Sequence, residues 1–181
     1  TTLYTGDGVG SGSGGQEINQ SGNSTFQPDF AWIKNRTTGG NEHDLYDAVR
    51  GATKVVFSST NGAEATVSEG LASFDTDGFT VGNRGEVNTS GNSMVAWQWA
   101  ANGAGSSNTD GATTSTVSAN TTSGFSIVKW TGTGANTTLG HGLGVAPKMI
   151  LVKNTGAADS WVVYHEDVGA TKGLTLDTTA T

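Results

Sequence analysis

The sequence predicts an all-β protein, a sandwich or barrel of short antiparallel strands, and three observations predict it. Compact apolar runs rich in β-branched and aromatic residues recur along the 181 residues. Gly, Asn, Asp or Ser bounds each run, as turns demand. Segments with helical periodicity are almost absent, and the best of them is claimed by an internal repeat described below.

The strands follow in order. "DFAWIKN" (29–35) opens after Pro28 and closes on Asn35. "EHDLYDAVR" (42–50) has some helical character, but its repeat partner prefers strand, so it is read as a strand leading into a Gly-centred turn. "DTDG" (75–78) holds carboxylates at alternate positions like half of a calcium loop, yet the remaining ligands are missing. It is read as an Asp-Gly turn launching "FTVGN". In "SMVAWQWA" (93–100), alternation puts Val95, Trp97 and Trp99 on one face and Met94, Ala96 and Gln98 on the other. "GFSIVKW" (124–130), "KMILVKN" (148–154) and "SWVVYHE" (160–166) complete the set. Because "MILV" is apolar on both faces, it is expected at the centre of a sheet covered on each side.

"PDFAWIKN…LYDAVRGATK" aligns with "PKMILVKN…VYHEDVGATK". Tyr46 and Tyr164, and Gly51 and Gly169, lie 118 apart (164 − 46 and 169 − 51), while Lys34 and Lys153 lie 119 apart (153 − 34). "YTGDG" (4–8) likewise faces "WTGTG" (130–134). We read this as an internal duplication: a first repeat over 1–102, a Gly/Ser-rich linker over 103–114, and a second, incomplete repeat over 115–181, a permuted boundary fitting the period equally well. Glu64 to Ala100 has no second partner, so an unpaired half-unit is expected to need covering by a neighbouring unit or subunit.

Nine Lys plus Arg against sixteen Asp plus Glu give a net charge of −7, which disfavours nucleic acid as a partner and anionic membranes as a surface. No apolar run approaches the length of a spanning helix, so no membrane insertion is expected. Without cysteine there are no disulfides, thiolate metal sites or cysteine nucleophiles. The abundance of Gly (28), Ser and Thr resembles disordered sequence, but five Trp and six Phe argue for a packed core.

Chemistry-bearing motifs are few. His43, His141 and His165 lack metal-ligand spacing, and His141, in the turn "LGHGLG", is expected to be solvated or bonded within that turn. "GSGSGG" (10–15) has the spacing of a dinucleotide fingerprint but is not followed by a helix pattern. Carboxylate pairs such as Asp75/Asp77 fit no hydrolytic arrangement that sequence alone can place. We therefore expect no enzyme, no catalytic residues, no cofactor and no metal. Trp32, Trp97 and Trp99 are read as core. Positions shared by the two copies (Pro28, Lys34, Asn35, Tyr46, Gly51, Thr53, Lys54) are read as scaffold. The loop that differs most, "RTTGGNEH" against "TGAADS", is free to carry binding. Arg36, Asn41, Glu42 and His43 are its candidate glycan ligands, since each side chain can hydrogen-bond sugar hydroxyls.

"TFQPDFAWIKNRTT…DLYDAVRGATK", "LASFDTDGFTVGN", "SGNSMVAWQWAANG" and "VSANTTSGFSIVKWTGTG…LGHGLGVAPKMILVKN" resemble tandem domains of tail-fibre and other virion-structural proteins of tailed bacteriophages, marine ones especially. The resemblance spans nearly the whole chain and rests on word order, without a catalytic motif. It implies a lectin-like jelly-roll sandwich in a virion appendage, and attachment to host cell-surface glycan. It also implies a homo-oligomer, a trimer about a fibre axis, contacting other virion proteins. Trp161 and Phe57 are expected at subunit contacts. The alternatives are a purely structural spacer or decoration protein, and a polysaccharide-degrading tailspike-type hydrolase.

Overall fold

The computed structural model describes residues 1–22 and 24–178, so the last three residues of the segment read as a second repeat lie outside it. Its regular structure is almost entirely antiparallel β. Fifteen strands are formed: β1 (Thr2–Thr5), β2 (Gln16–Asn19), β3 (Phe30–Asn35), β4 (His43–Asp47), β5 (Lys54–Phe57), β6 (Ala65–Thr66), β7 (Leu71–Asp75), β8 (Gly78–Val81), β9 (Ser93–Trp99), β10 (Ser106–Asn108), β11 (Ser115–Asn120), β12 (Phe125–Lys129), β13 (Met149–Val152), β14 (Val162–His165) and β15 (Leu174–Thr175). One turn of helix, α1 (Gly85–Asn88), precedes β9.

A six-stranded sheet, β1-β9-β3-β4-β5-β6, lays one face against a three-stranded sheet, β2-β8-β7. Paired residues in neighbouring strands share a face, so the registers assign every side chain. Ala31, Ile33, Tyr46 and Ala96 point inward and meet Ile18, Leu71, Phe79 and Val81 from the other layer. Removing that apolar surface from water is the main favourable term for this half of the molecule. The segment 42–50 is a strand followed by a turn, as expected, and "DTDG" is the β7–β8 hairpin turn, with Gly78 at φ +134° and its Cα closing on Ile18 of β2.

Polar side chains hold the loops of this half. Asn88, fully buried, accepts from the Asp7 and Gly8 amides (2.9 and 3.3 Å) and donates to Asp7 Oδ1. Glu69 accepts from the Ser11 amide and hydroxyl and from the Asn83 amide. These bonds, led by the Ser11 hydroxyl, hold its carboxyl below the usual range. The "GSGSGG" segment therefore presents its Ser11 donors to a carboxylate of the chain itself.

Two smaller sheets follow: β10-β11-β12 and β13-β14-β15. Part of the segment read as linker is thus strand β10. Strands β13–β15 pair in the same register as β3–β5. Ala31 opposes Tyr46 as Ile150 opposes Tyr164, and Leu45 opposes Val56 as Val163 opposes Leu174. Local bonds match too. The Gly51 amide donates to Asp47 O and the Gly169 amide to His165 O. Both glycines have positive φ, +105° and +86°. Lys34 Nζ donates to Asn41 O, and Lys153 Nζ to Ala157 O and Asp159 O in the corresponding loop.

Burial differs between the two. Tyr46 is fully buried and Tyr164 is not; "MILV" forms an edge strand, with Met149 and Ile150 53% and 42% exposed. The expectation of a central, doubly covered strand is corrected: β13 has β14 on one side and, among the described residues, no strand on the other. Its apolar residues on the Ile150 face lack the layer that β2-β8-β7 supplies to β3.

Candidate functional site

The outer face of the six-stranded sheet is unusually aromatic. Registers place Trp97, Trp32, Leu45 and Val56 in one cross-strand row, Trp99 and Phe30 in the next, and Leu3, Val95, Lys34 and His43 in the row on the other side. Sheet β13-β14-β15 covers one end of this face: Trp161, Leu151 and Leu176 pack on Leu45, Val56, Phe30 and Trp32. Trp161 is buried within the chain and donates through Nε1 to Phe57 O at 2.7 Å, which corrects its expected place at a subunit contact. Phe57 is half-buried and packs against the inner core. From the other smaller sheet, Phe125 stacks on Trp99 (5.7 Å between centroids, 20° between planes) and packs on Phe30.

Between these covers the aromatic floor is open. Trp97 is 37% exposed, Trp99 36% and Leu3 63%. The reading of Trp97 and Trp99 as core is therefore corrected; Trp32 is half-buried between the cover and the open part. Trp32 and Trp97 meet edge to face, 6.1 Å between centroids and 67° between planes, and Trp97 stands at the surface.

The four loop candidates separate. His43 joins the floor: Trp32 Nε1 donates to His43 Nδ1 at 3.4 Å, and their rings meet edge to face. Burial first, then Lys34, pushes the imidazole pKa down, so it is neutral near pH 7 and Nε2 carries its proton outward. Arg36 is exposed one step beyond β3. Asn41 is structural instead: its Nδ2 donates to Gly85 O and its carbonyl receives Lys34 Nζ. Glu42 accepts from the Ser59 hydroxyl, which itself receives the His43 amide, so it braces the hairpin. The loop thus contributes His43 at the floor and Arg36 at the surface, while Asn41 and Glu42 hold its shape.

Two hollows lie elsewhere. One of about 510 Å³ is lined by Asp110, Leu139, His141 and backbone of a Gly-rich turn, and one of about 230 Å³ by Ser107, Lys129 and Trp130. His141 Nδ1 accepts from the Leu143 amide, the turn bond expected of it. Among the described residues no group of three or more His, Cys, Asp or Glu is placed to hold a metal ion.

Fold and surface together define an antiparallel all-β protein with an exposed aromatic sheet face. A family model described as a domain of unknown function (DUF7483) matches residues 1–181, and the chain belongs to that family. No curated protein and no solved structure matches it.

Proposed function

We propose that this chain is a non-enzymatic structural and adhesive module of a bacteriophage tail fibre or appendage, and that its aromatic floor binds host-surface glycan. The observation that carries the binding reading is the pair Trp97 and Trp99, exposed side by side on a rigid strand, with the neutral His43 two strands away. Sugars present C–H faces that stack on indole rings, and hydroxyls that accept from an imidazole N–H or a guanidinium. Arg36 supplies the latter. A floor built on β9 and β3, both central strands, keeps these rings placed without a ligand, which lowers the ordering cost of binding.

We read the fold as a lectin-like jelly-roll sandwich in tandem: a first unit over 1–102, a connecting segment over 103–114 and a second, incomplete unit over 115–181. The nested pairing of β1 with β9 and β2 with β8, across two facing sheets, supports the roll. The shared registers of β3–β5 and β13–β15 support the repeat. A location on the virion, a trimeric fibre and contacts to other virion proteins belong to the same proposal and rest on the sequence resemblance. The alternative of a purely structural spacer is favoured by one observation, the uncovered apolar face that carries Ile150 and Val162.

A glycan array followed by titration of intrinsic tryptophan fluorescence tests the reading. Trp97→Ala and Trp99→Ala are each expected to weaken glycan binding by about tenfold or more, as stacking anchors do, while the thermal midpoint moves by only a few degrees. Binding that survives both substitutions would sink the aromatic-floor assignment.

A further inference from the structure

The first unit shows what its β3 is built to touch. β9 lies between β1 and β3, pairing with both through Ser93–Trp99 and burying Met94 and Ala96 completely. In the second unit the counterpart of β3 is β13. The counterpart of β1 is the end of β12 with the Trp-Thr-Gly that follows it, since Trp130–Gly132 matches Tyr4–Gly6. Among the described residues β12 pairs only with β11, and β13 only with β14. Among the described residues the remaining edge of each is unpaired.

Three exposures mark these two sheets. Tyr4 packs edge to face on Phe79 and donates to Val87 O, whereas its counterpart Trp130 is 37% exposed. Ala31 is fully buried beside β9, whereas its counterpart Ile150 is 42% exposed. Val162, on the same face, is 53% exposed. The hydrogen-bonding groups are aimed as well. The Glu166 amide donates to Lys148 O at 2.9 Å, so Lys148 faces β14 and, by alternation, the N–H and C=O of Met149 and Leu151 face the free edge. An edge strand with apolar side chains and unused outward amides is a template for strand addition.

We propose that the edges of β12 and β13 accept one further strand of the β9 type, small or flexible apolar residues alternating with Trp, supplied by another unit of this same fold. This rests on the tandem reading, because the first unit identifies the occupant. Inserting that strand joins β10-β11-β12 and β13-β14-β15 into one continuous sheet, as β9 joins β1 to β3. A strand of that type from a further unit thus completes the second unit as β9 completes the first.

The test adds a labelled synthetic peptide of residues 91–101 to the full chain. Fluorescence anisotropy reads binding, and amide exchange by mass spectrometry reads its location. Saturable binding is expected, with slowed exchange in 125–129 and 149–152. A peptide of the same composition in scrambled order is expected to bind about tenfold more weakly or worse, and so is the native peptide to Met149→Pro. Proline at 149 removes an outward N–H and leaves the β13–β14 ladder its own donors, a position where edge strands tolerate proline. A thermal melt confirms that the variant folds.

No saturable binding, equal binding of the scrambled peptide, equal binding to folded Met149→Pro, or protection confined to other strands would each overturn the proposal. So would self-association that protects 149–152 without peptide, which assigns that edge to a second copy of β13. The tandem reading has its own test in paired substitutions at Gly51 and Gly169. If those behave alike while strand addition fails, the repeat stands and only its completion by a β9-type strand is lost.

Discussion

At the scale of single residues, two titratable groups separate scaffold from site. Asp44, with no exposed side-chain surface, accepts from Tyr46 Oη at 2.7 Å and Arg84 Nε at 3.0 Å, and its Oδ1 has no partner. Burial outweighs both partners and raises its pKa to about 6. A carboxyl with a raised folded pKa binds more protons in the folded chain than in the unfolded one between its two pKa values. Its contribution therefore favours folding most at low pH and falls as pH rises from about 4 to about 6, by at most about 3 kcal/mol. Denaturant titrations across that range should show Asp44→Asn with a flatter profile than the parent, and an identical slope would contradict the assignment. His43 shifts the other way, its pKa lowered by burial. Glycan affinity should be constant above pH 6.5 and fall as the imidazole takes its second proton and stops accepting from Trp32 Nε1. His43→Gln should abolish that dependence, as measured by fluorescence titration at several pH values.

At the scale of elements, the hairpins β3–β4 and β13–β14 show which parts of a repeated sequence dictate backbone. Asn35 accepts from the Thr37 and Thr38 amides, and Asn154 from the Gly156 amide, so each strand ends in an asparagine turn. The turns after β4 and β14 each need a glycine. A Cβ at Gly51 or Gly169 meets nothing within 4 Å, so substitution there costs backbone conformation alone. Gly51→Ala and Gly169→Ala should each cost about 1 kcal/mol, and amide exchange should quicken about fivefold in the strand before each turn. Unequal effects would mean that the two turns are not equivalent. What the repeat does not carry is the ion network of the first unit, where Arg50 meets Asp47, Glu64 and the Leu45 carbonyl. His165 and Val168 occupy the positions of Asp47 and Arg50 in the second, so the shared hairpin does not depend on that network.

At the scale of the whole molecule, the outer faces of the two hairpins pack against each other, Leu151 and Trp161 on Leu45, Val56 and Trp32. That contact turns the second hairpin so that its other face, with Ile150 and Val162, is left to solvent. That face and edge await the further strand proposed above, whereas the trimeric fibre is proposed from the sequence resemblance and needs contacts elsewhere on the chain. Light scattering at micromolar concentration is expected to give three times the chain mass, with dissociation on dilution broadening the thermal transition. A monomer under those conditions would remove support for the trimeric fibre.

Strand positions were legible because alternation and turn residues are local. The segments 29–35, 93–100, 124–130, 148–154 and 160–166 each contain a strand, and 42–50 folds as strand and turn despite its helical look. The shared wording of 28–54 and 147–172 was legible too, and the strands in those segments pair in the same register. Direction was not. Alternation says that Trp97 and Trp99 share a face, but Met94 and Ala96 on the opposite face are apolar too, so the sequence offered two candidate interiors. Only packing of β2-β8-β7 on the Met94–Ala96 side decided that the indoles stand outside. In the same way "MILV" reads as a covered central strand from its own residues, and becomes an exposed edge because no β9 pairs with it here. The chain's composition and period thus determine which segments become strands and how they pair, since those are local or nearest-neighbour matters. Which face is buried, and which side chains remain free to bind, depends on the layers that other segments lay over them.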